Sequence, residues 1–283
     1  MERKYHIAGI DLLVEMPEDR EYVDEALMPF RVSDVTDPHC YTFRLQAHLT
    51  PPNGDCIAAE PGFRVYEEGK ETLRYIGSVL DGWDSAYIRA AHQGRHHAIQ
   101  LLAADFPERI TAKTVLDCLA AEHLLAEIGG FVLHCAYVDR QGEAILFTAP
   151  SGTGKSTQAA LWEQLRGAEV INGDRAAVRM TDAGPMACGL PFAGSSGICK
   201  NKTLPLVAIV YLKQAPETTL RRLRGAEAFC RLWEGISINI WDRADVASVS
   251  EAVRQVLLSV PVFELACTPD ESAILALEGA MPV

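Results

Sequence analysis

With 283 residues, 48% hydrophobic and 23% charged, and no low-complexity tract, the chain has the apolar content for a large core, which excludes a disordered or fibrous protein. A formal net charge of −12 argues against a nucleic-acid or anionic-membrane partner, because phosphate-rich surfaces select clustered Lys and Arg. The longest apolar run, Leu206 to Leu212, is far shorter than the roughly 20 residues of a bilayer span; with no apolar signal segment after Met1 and cysteines scattered without a C-x-x-C pair, the expectation is a cytoplasmic chain with reduced thiols.

Residues 1–110 alternate with a period of two between turn signals and read as a small β-rich lobe. Ile10, Leu12, Val14 and Met16 form one alternating run, and Tyr41, Phe43, Leu45 and Ala47 another. Phe63–Tyr66 and Thr72–Ile76 flank a turn around Gly69, and a second hairpin joins Tyr87–Ala90 to Ala98–Leu102 across Gln93-Gly94-Arg95. His92, His96 and His97 cluster at that turn. Neighbouring strand side chains face opposite sides, so His96 and His97 do not converge on one ion, and a metal site is disfavoured.

Residues 111–283 read as a second, α/β domain. From Thr111 the apolar period becomes helical, with Val115, Leu116, Leu119, Leu124 and Ile128 on one face and a stop at Gly129-Gly130. His123 lies near that face as a core histidine. Phe131–Val138 then reads as a strand, and Asp139-Arg140-Gln141-Gly142 as a tight turn into the strand Ala144–Thr148. That antiparallel pair sets His134 beside the segment that follows, where two readings stay open: a buried imidazole bonded to backbone, or an active-site group.

The segment Ala149-Pro150-Ser151-Gly152-Thr153-Gly154-Lys155-Ser156-Thr157 leaves this strand and enters a helix ended by Gly167. Strand, small-residue loop, lysine, hydroxyl and helix have the pattern of a phosphate-binding loop, with a Gly/Ser-rich turn that matches the pattern by chance as the alternative. Backbone N–H groups from Ser151 to Thr157 would cradle anionic oxygens, Lys155 would reach the outer phosphates, and Ser156 would offer its hydroxyl to Mg2+. The pattern's first glycine is Ala149 here.

Glu169-Val170-Ile171 is a short strand ending in Asn172-Gly173-Asp174-Arg175. Asp174, at the tip of an apolar strand, is the candidate for holding Mg2+ or orienting the acceptor, with a plain turn aspartate as the alternative. Gly189–Lys202 reads as a glycine-rich loop in which Lys200 or Lys202 neutralises phosphate charge, or as a surface loop without that role. Leu206–Leu212 is the clearest central strand. Helices follow at Ala226–Trp233 and Val246–Leu257, then a strand at Val262–Ala266 and a capping box at Thr268-Pro269-Asp270-Glu271 opening the last helix.

The hairpin bearing His134, the loop Ala149–Thr157 and Asn172-Gly173-Asp174 together resemble the HPr kinase/phosphorylase superfamily, whose nucleotide-binding core is similar to that of ATP-type phosphoenolpyruvate carboxykinase. The resemblance covers residues 111–283. It implies ATP with magnesium, phosphoryl transfer to a hydroxyl of a peptide, protein or small molecule such as free serine, Asp174 at the metal or acceptor proton, and His134 near the transferred phosphate. Two departures stand out: HPr kinases carry two adjacent aspartates where this chain has Gly173-Asp174, and Gly189–Lys202 replaces the segment that grips their protein substrate. A non-catalytic ATP-binding sensor is the alternative, and homo-oligomerisation stays open.

Overall fold

The computed structural model describes residues 2–17, 26–77, 82–105 and 116–281. The chain divides into two compact units, residues 1–120 and 121–283.

In the first unit the strands are β1 (Glu2–Ile7), β2 (Ile10–Glu15), β3 (His39–Gln46), β4 (Asp55–Glu60), β5 (Phe63–Glu68), β6 (Glu71–Gly77), β7 (Ala86–Gln93) and β8 (His96–Leu102). They form one eight-stranded sheet in the order β1-β2-β3-β8-β7-β6-β5-β4. The alternating residues Leu12, Val14, Tyr41 and Phe43 are buried as a period of two requires. Both expected hairpins are present, β5 with β6 and β7 with β8. His96 is exposed and His97 buried, and the rings of His39 and His92 approach His97 at N···N distances of 3.2 and 3.0 Å. These imidazoles are partnered with one another, and the Tyr41 ring stacks on His97.

The second unit contains β9 (Gly130–Arg140), β10 (Glu143–Thr148), β11 (Glu169–Asn172), β12 (Arg175–Thr181), β13 (Gly184–Gly189), β14 (Thr203–Gln214), β15 (Thr219–Leu223), β16 (Ile236–Ser237) and β17 (Val262–Cys267). Its helices are α1 (Ala121–Glu127), α2 (Lys155–Arg166), α3 (Gly225–Trp233), α4 (Arg243–Ser259) and α5 (Glu271–Glu278). The nine strands run in the order β10-β9-β12-β13-β14-β17-β15, with β11 and β16 also on β9 and β10 also on β14. As expected, β9 and β10 are antiparallel, with Thr148 opposite Cys135. β14 is central, parallel to both β10 and β17. One sheet face buries Trp162 of α2 and Ile274 of α5 against Ile145, Phe147 and Val210. The other buries Val253 and Val256 of α4 against Leu133, Leu146 and Ile209.

Two helix expectations are corrected. The helix read from Thr111 to Ile128 is broken: residues 116–118 are helical, α1 starts at Ala121, and Ala120 between them takes a left-handed φ of 53°. The Leu119 carbonyl is taken by the Tyr41 hydroxyl at 2.7 Å. Residues 111–115 of that expected helix lie outside the described residues. The last helix is capped by Asp270 rather than Thr268, since the Asp270 carboxylate accepts from Ser272 N–H at 2.8 Å.

His123 is an ion-pairing residue, half exposed and not part of the core. Its Nδ1 lies 2.8 Å from Asp245 Oδ1, and Asn239 Nδ2 donates to Asp245 Oδ2 at 2.7 Å. The ligand atoms of His123, Asp242 and Asp245 lie within 4.8 Å of one another. Both Asp245 oxygens are already engaged, however, and Asp242 caps α4, so the cluster is a tie between α1 and α4. The hydrogen bond to Asp245 raises the His123 pKa against the opposing effect of burial. The pair's stabilisation is therefore complete below the unfolded-state pKa of about 6.5 and is lost as pH rises through the folded-state value. His123→Gln is expected to lower the urea midpoint more at acidic than at alkaline pH; equal losses on both sides would show that the ion pair contributes nothing.

Candidate active site

Residues 149–154 leave β10 as an irregular turn, and α2 begins at Lys155. Gly154 is the N-cap with a φ of 118°, a value glycine reaches freely, and no side chain caps the first N–H groups of α2. Ala149 lies outside the left-handed region, and its methyl packs into the core beneath the loop, so the missing first glycine costs nothing here. Thr153 closes the turn by donating its hydroxyl to the Pro150 carbonyl at 2.9 Å. Ser151, Gly152, Ser156 and Thr157 are exposed.

Lys155 is 7% exposed, and its ammonium donates to the Ala149 and Pro150 carbonyls at 3.0 and 3.4 Å. Burial lowers its pKa. No carboxylate pairs with it within 4 Å among the described residues. Burial pushes the neighbouring Cys135 thiol far up, so that thiol stays protonated and brings Lys155 no counter-charge.

Asp174 is held by the turn that joins β11 to β12. Asn172, with no exposed surface, accepts through Oδ1 from the N–H groups of Asp174 and Arg175 at 2.8 and 2.9 Å. Its Nδ2 donates to the carbonyls of Leu190 and Phe192 at 2.8 and 2.9 Å. One carboxamide thus fixes both the acidic turn and the glycine-rich loop above it. The packing is close: a Cβ added to Gly173 would sit 2.3 Å from Ser196 Oγ, and one added to Gly194 would sit 2.7 Å from Asp174 Cβ. Gly173, the departure from a double aspartate, is therefore the residue this loop position admits.

β12 pairs with β9 so that Arg175 stands opposite His134. His134 Nε2 is 3.8 Å from Asp174 Oδ1, an electrostatic contact longer than a hydrogen bond, and Arg175 Nε donates to Asp174 Oδ2 at 3.2 Å. The Arg175 guanidinium also lies over the Phe192 ring, 5.2 Å from its centroid. Burial, with the Lys155 and Arg175 charges, holds the His134 pKa below its ordinary value, against the opposing pull of Asp174. Its imidazole is neutral at neutral pH and able to accept a proton.

His134, Lys155 and Asp174 are thus brought together at the end of β10, next to the loop 151–157. Lys200 and Lys202 are not. Lys200 pairs with Glu169 at 2.9 Å, and Lys202 pairs with Asp139 and Glu169. Asp139 stands opposite Ala144, at the far end of β10 from the loop and, at 3.3 Å per residue, about 13 Å away along the strand. Opposite charges on β9 and β11 claim these lysines and tie down the base of the glycine-rich segment. The sequence assigns no role to Arg175 or Phe192 and gives Asn172 only a place in the turn that carries Asp174. The signal available was Asn two positions before Asp in a turn, the spacing of a side chain that bonds its own backbone.

Beside the loop opens a cleft of about 530 Å3, walled by residues 212–216 and 267–269 together with Gly152, Gly154 and Gln158. Gln214 Nε2 donates to the Thr153 carbonyl at 3.3 Å and joins this wall to the loop.

No family model matches the chain, and no curated protein matches it. Among solved structures it is similar to the Hpr(Ser) kinase/phosphatase from Coxiella burnetii, with a TM-score of 0.31 and 12% sequence identity over 53% of this chain and 89% of that one. This is a distant structural relationship.

Because Asn172 is buried and makes four hydrogen bonds, Asn172→Ala is expected to cost on the order of 3 kcal/mol in urea unfolding. Asn172→Asp keeps the acceptor and loses the donors, and is expected to be destabilising while protecting the 173–175 turn better than alanine in amide hydrogen exchange. An unfolding loss near zero for both variants would show that the carboxamide does not organise the site.

Proposed function

We propose that this chain is an ATP-dependent phosphotransferase that moves the γ-phosphate to a hydroxyl acceptor, a serine of a peptide or protein or a small hydroxyl compound such as free serine. One observation carries the reading: the Lys155 ammonium is buried at an uncapped helix start, bonded to its own loop carbonyls and, among the described residues, paired with no carboxylate. A buried charge in that state costs several kcal/mol, and a polyanion on the adjacent N–H groups offsets the cost.

The remaining residues fit such a ligand. The cleft beside Gly154 has room for a nucleoside whose phosphates lie along residues 151–157. Ser156 and Asp174 are oxygen donors of the kind Mg2+ takes, and Asp174 Oδ1 accepts no hydrogen bond among the described residues. An ion held there would supply charge neutralisation to the phosphates. Lys155 turns from its loop carbonyls to the phosphates. His134, neutral and 3.8 Å from Asp174, accepts the hydroxyl proton at Nε2, and Asp174 stabilises the imidazolium that results.

A second reading, ATP binding without transfer, is favoured by the absence of a second carboxylate beside Asp174, which Gly173 precedes and Arg175 follows. Incubation with labelled ATP and candidate acceptors separates the two. Lys155→Ala is expected to weaken ATP binding on the order of a hundredfold, the equivalent of about 2.7 kcal/mol. Asp174→Asn is expected to slow transfer on the order of a hundredfold at saturating ATP. Transfer should also fall as pH drops through the His134 pKa, below about 6.5, and His134→Gln should remove that limb of the profile. Tight ATP binding with neither transfer nor hydrolysis, unchanged in Asp174→Asn, would favour the sensor.

A further inference from the structure

We propose that Arg175 is a catalytic residue, an arginine supplied in cis whose guanidinium neutralises the charge of the phosphoryl group during its transfer. The assignment rests on the phosphotransferase reading and extends it to a side chain that no motif marks.

The Arg175 backbone is fixed at two points, by its N–H bond to Asn172 Oδ1 and by its register opposite His134. Its side chain is held at two more, by the Nε bond to Asp174 Oδ2 and by the Phe192 ring beneath the guanidinium. Arginine is thus held in one orientation by its least useful donor. The two Nη groups, which carry four of the five N–H bonds and form the fork that matches phosphate oxygens, have no hydrogen-bond partner among the described residues. A surface arginine kept for stability would spend those donors on a carboxylate, as Arg166 does on Glu278 and Arg221 on Glu227.

The surroundings point the same way. Arg175 lies within Coulombic reach of His134, as does Lys155. Among the described residues Asp174 is the carboxylate that contacts this group, and it is shared between His134 and Arg175. The position after Asp174 thus carries a cation, so this site has a fixed positive charge beside its lone aspartate.

In the transfer step the bond between the γ-phosphorus and the bridging oxygen breaks, and its electron pair stays on ADP. A new bond forms from the acceptor oxygen to phosphorus, and the hydroxyl proton passes to His134 Nε2. Negative charge on the equatorial oxygens is then met by the Arg175 fork and the Lys155 ammonium. Arg175 makes its contact only when the phosphoryl group leaves its ground-state position, so its loss lowers kcat without changing nucleotide affinity.

The test compares release of ADP with release of ADP plus aluminium fluoride, both with Mg2+, from the full chain. Aluminium fluoride mimics the planar phosphoryl group and needs no knowledge of the acceptor. The parent chain is expected to release the ADP–aluminium fluoride complex at least about tenfold more slowly than ADP, and Arg175→Gln is expected to lose that difference while ADP affinity stays within about twofold. Arg175→Lys, which keeps the charge but not the fork, serves if the glutamine variant does not fold, and is expected to lose most of the gain. Phe192→Ala is expected to lose part of it.

Retention of slow release in both Arg175 variants would overturn the assignment. So would an equal loss of ADP affinity, which would make Arg175 a ground-state ligand. If the parent chain binds ADP through Lys155 but shows no slow release, the nucleotide-binding reading survives and this inference falls. If Lys155→Ala and the parent both fail to bind ADP, the underlying reading falls and takes this inference with it.

Discussion

Four hydrogen bonds converge on the Asn172 carboxamide, and the arrangement of the site depends on them. With no exposed surface, this side chain can neither exchange its partners for water nor leave one unmet without the full desolvation penalty, about 1–3 kcal/mol for each orphaned group. Its acceptor fixes the backbone of Asp174 and Arg175, and its donors fix Leu190 and Phe192 in the loop above. Carboxylate, guanidinium and aromatic support are therefore positioned by one polar group, while the apolar core below supplies only the sheet on which it stands. The same bonds explain why Gly173 and Gly194 face side-chain atoms at distances that leave no room for a Cβ.

The sheet does the rest through β9. Its first half pairs with β12 and its second with β10, so that consecutive residues serve different neighbours: His134 faces Arg175, and Cys135 faces Thr148. Thr148 donates its hydroxyl to the His134 carbonyl at 2.9 Å, stitching the start of the 149–154 loop to the imidazole-bearing strand. A shift of one residue in either register would turn His134 into the core and Cys135 out of it. The apolar residues around them, Leu133, Ala136 and Tyr137, all fully buried, make that shift costly.

Much of this was legible in the sequence where the determinants are local. The apolar strand, the glycines, Lys155 and the helix stop at Gly167 lie within 25 residues of one another, and each acts through its own backbone. The hairpins around Gly69 and Gly94 are equally local. What was not legible depends on partners far along the chain. The β12–β13 hairpin contains Pro185 and four alanines and has no clean alternation, so its pairing with β9 and β14 decides its structure. Asn172 looks like an ordinary turn residue until Leu190 and Phe192 are brought above it. Lys200 and Lys202 have the composition of a phosphate loop, but Glu169 and Asp139, 31 to 63 positions earlier, claim them. The Lys202 and Lys200 ammonium groups beside Glu169 hold its carboxyl below the usual range.

The charge distribution explains why the site must work at short range. The chain as a whole carries a net charge of −12, so a polyanion approaching from solution meets repulsion beyond any single contact. At physiological salt that repulsion is screened within about 8 Å, whereas charges in a partly buried site interact at an effective dielectric near 20, about 4 kcal/mol for a pair 4 Å apart. Lys155 and Arg175 lie where this second regime holds, with Asp174 the carboxylate beside Arg175 among the described residues and His134 neutral. On the phosphotransferase reading, the first contact with an anion then falls to Lys155, whose ammonium is buried beside the loop carbonyls. That lysine, whose hydrogen-bond partners among the described residues are backbone oxygens, stands within the second regime, where a single charge contact counts for more than the screened charge of the rest of the chain.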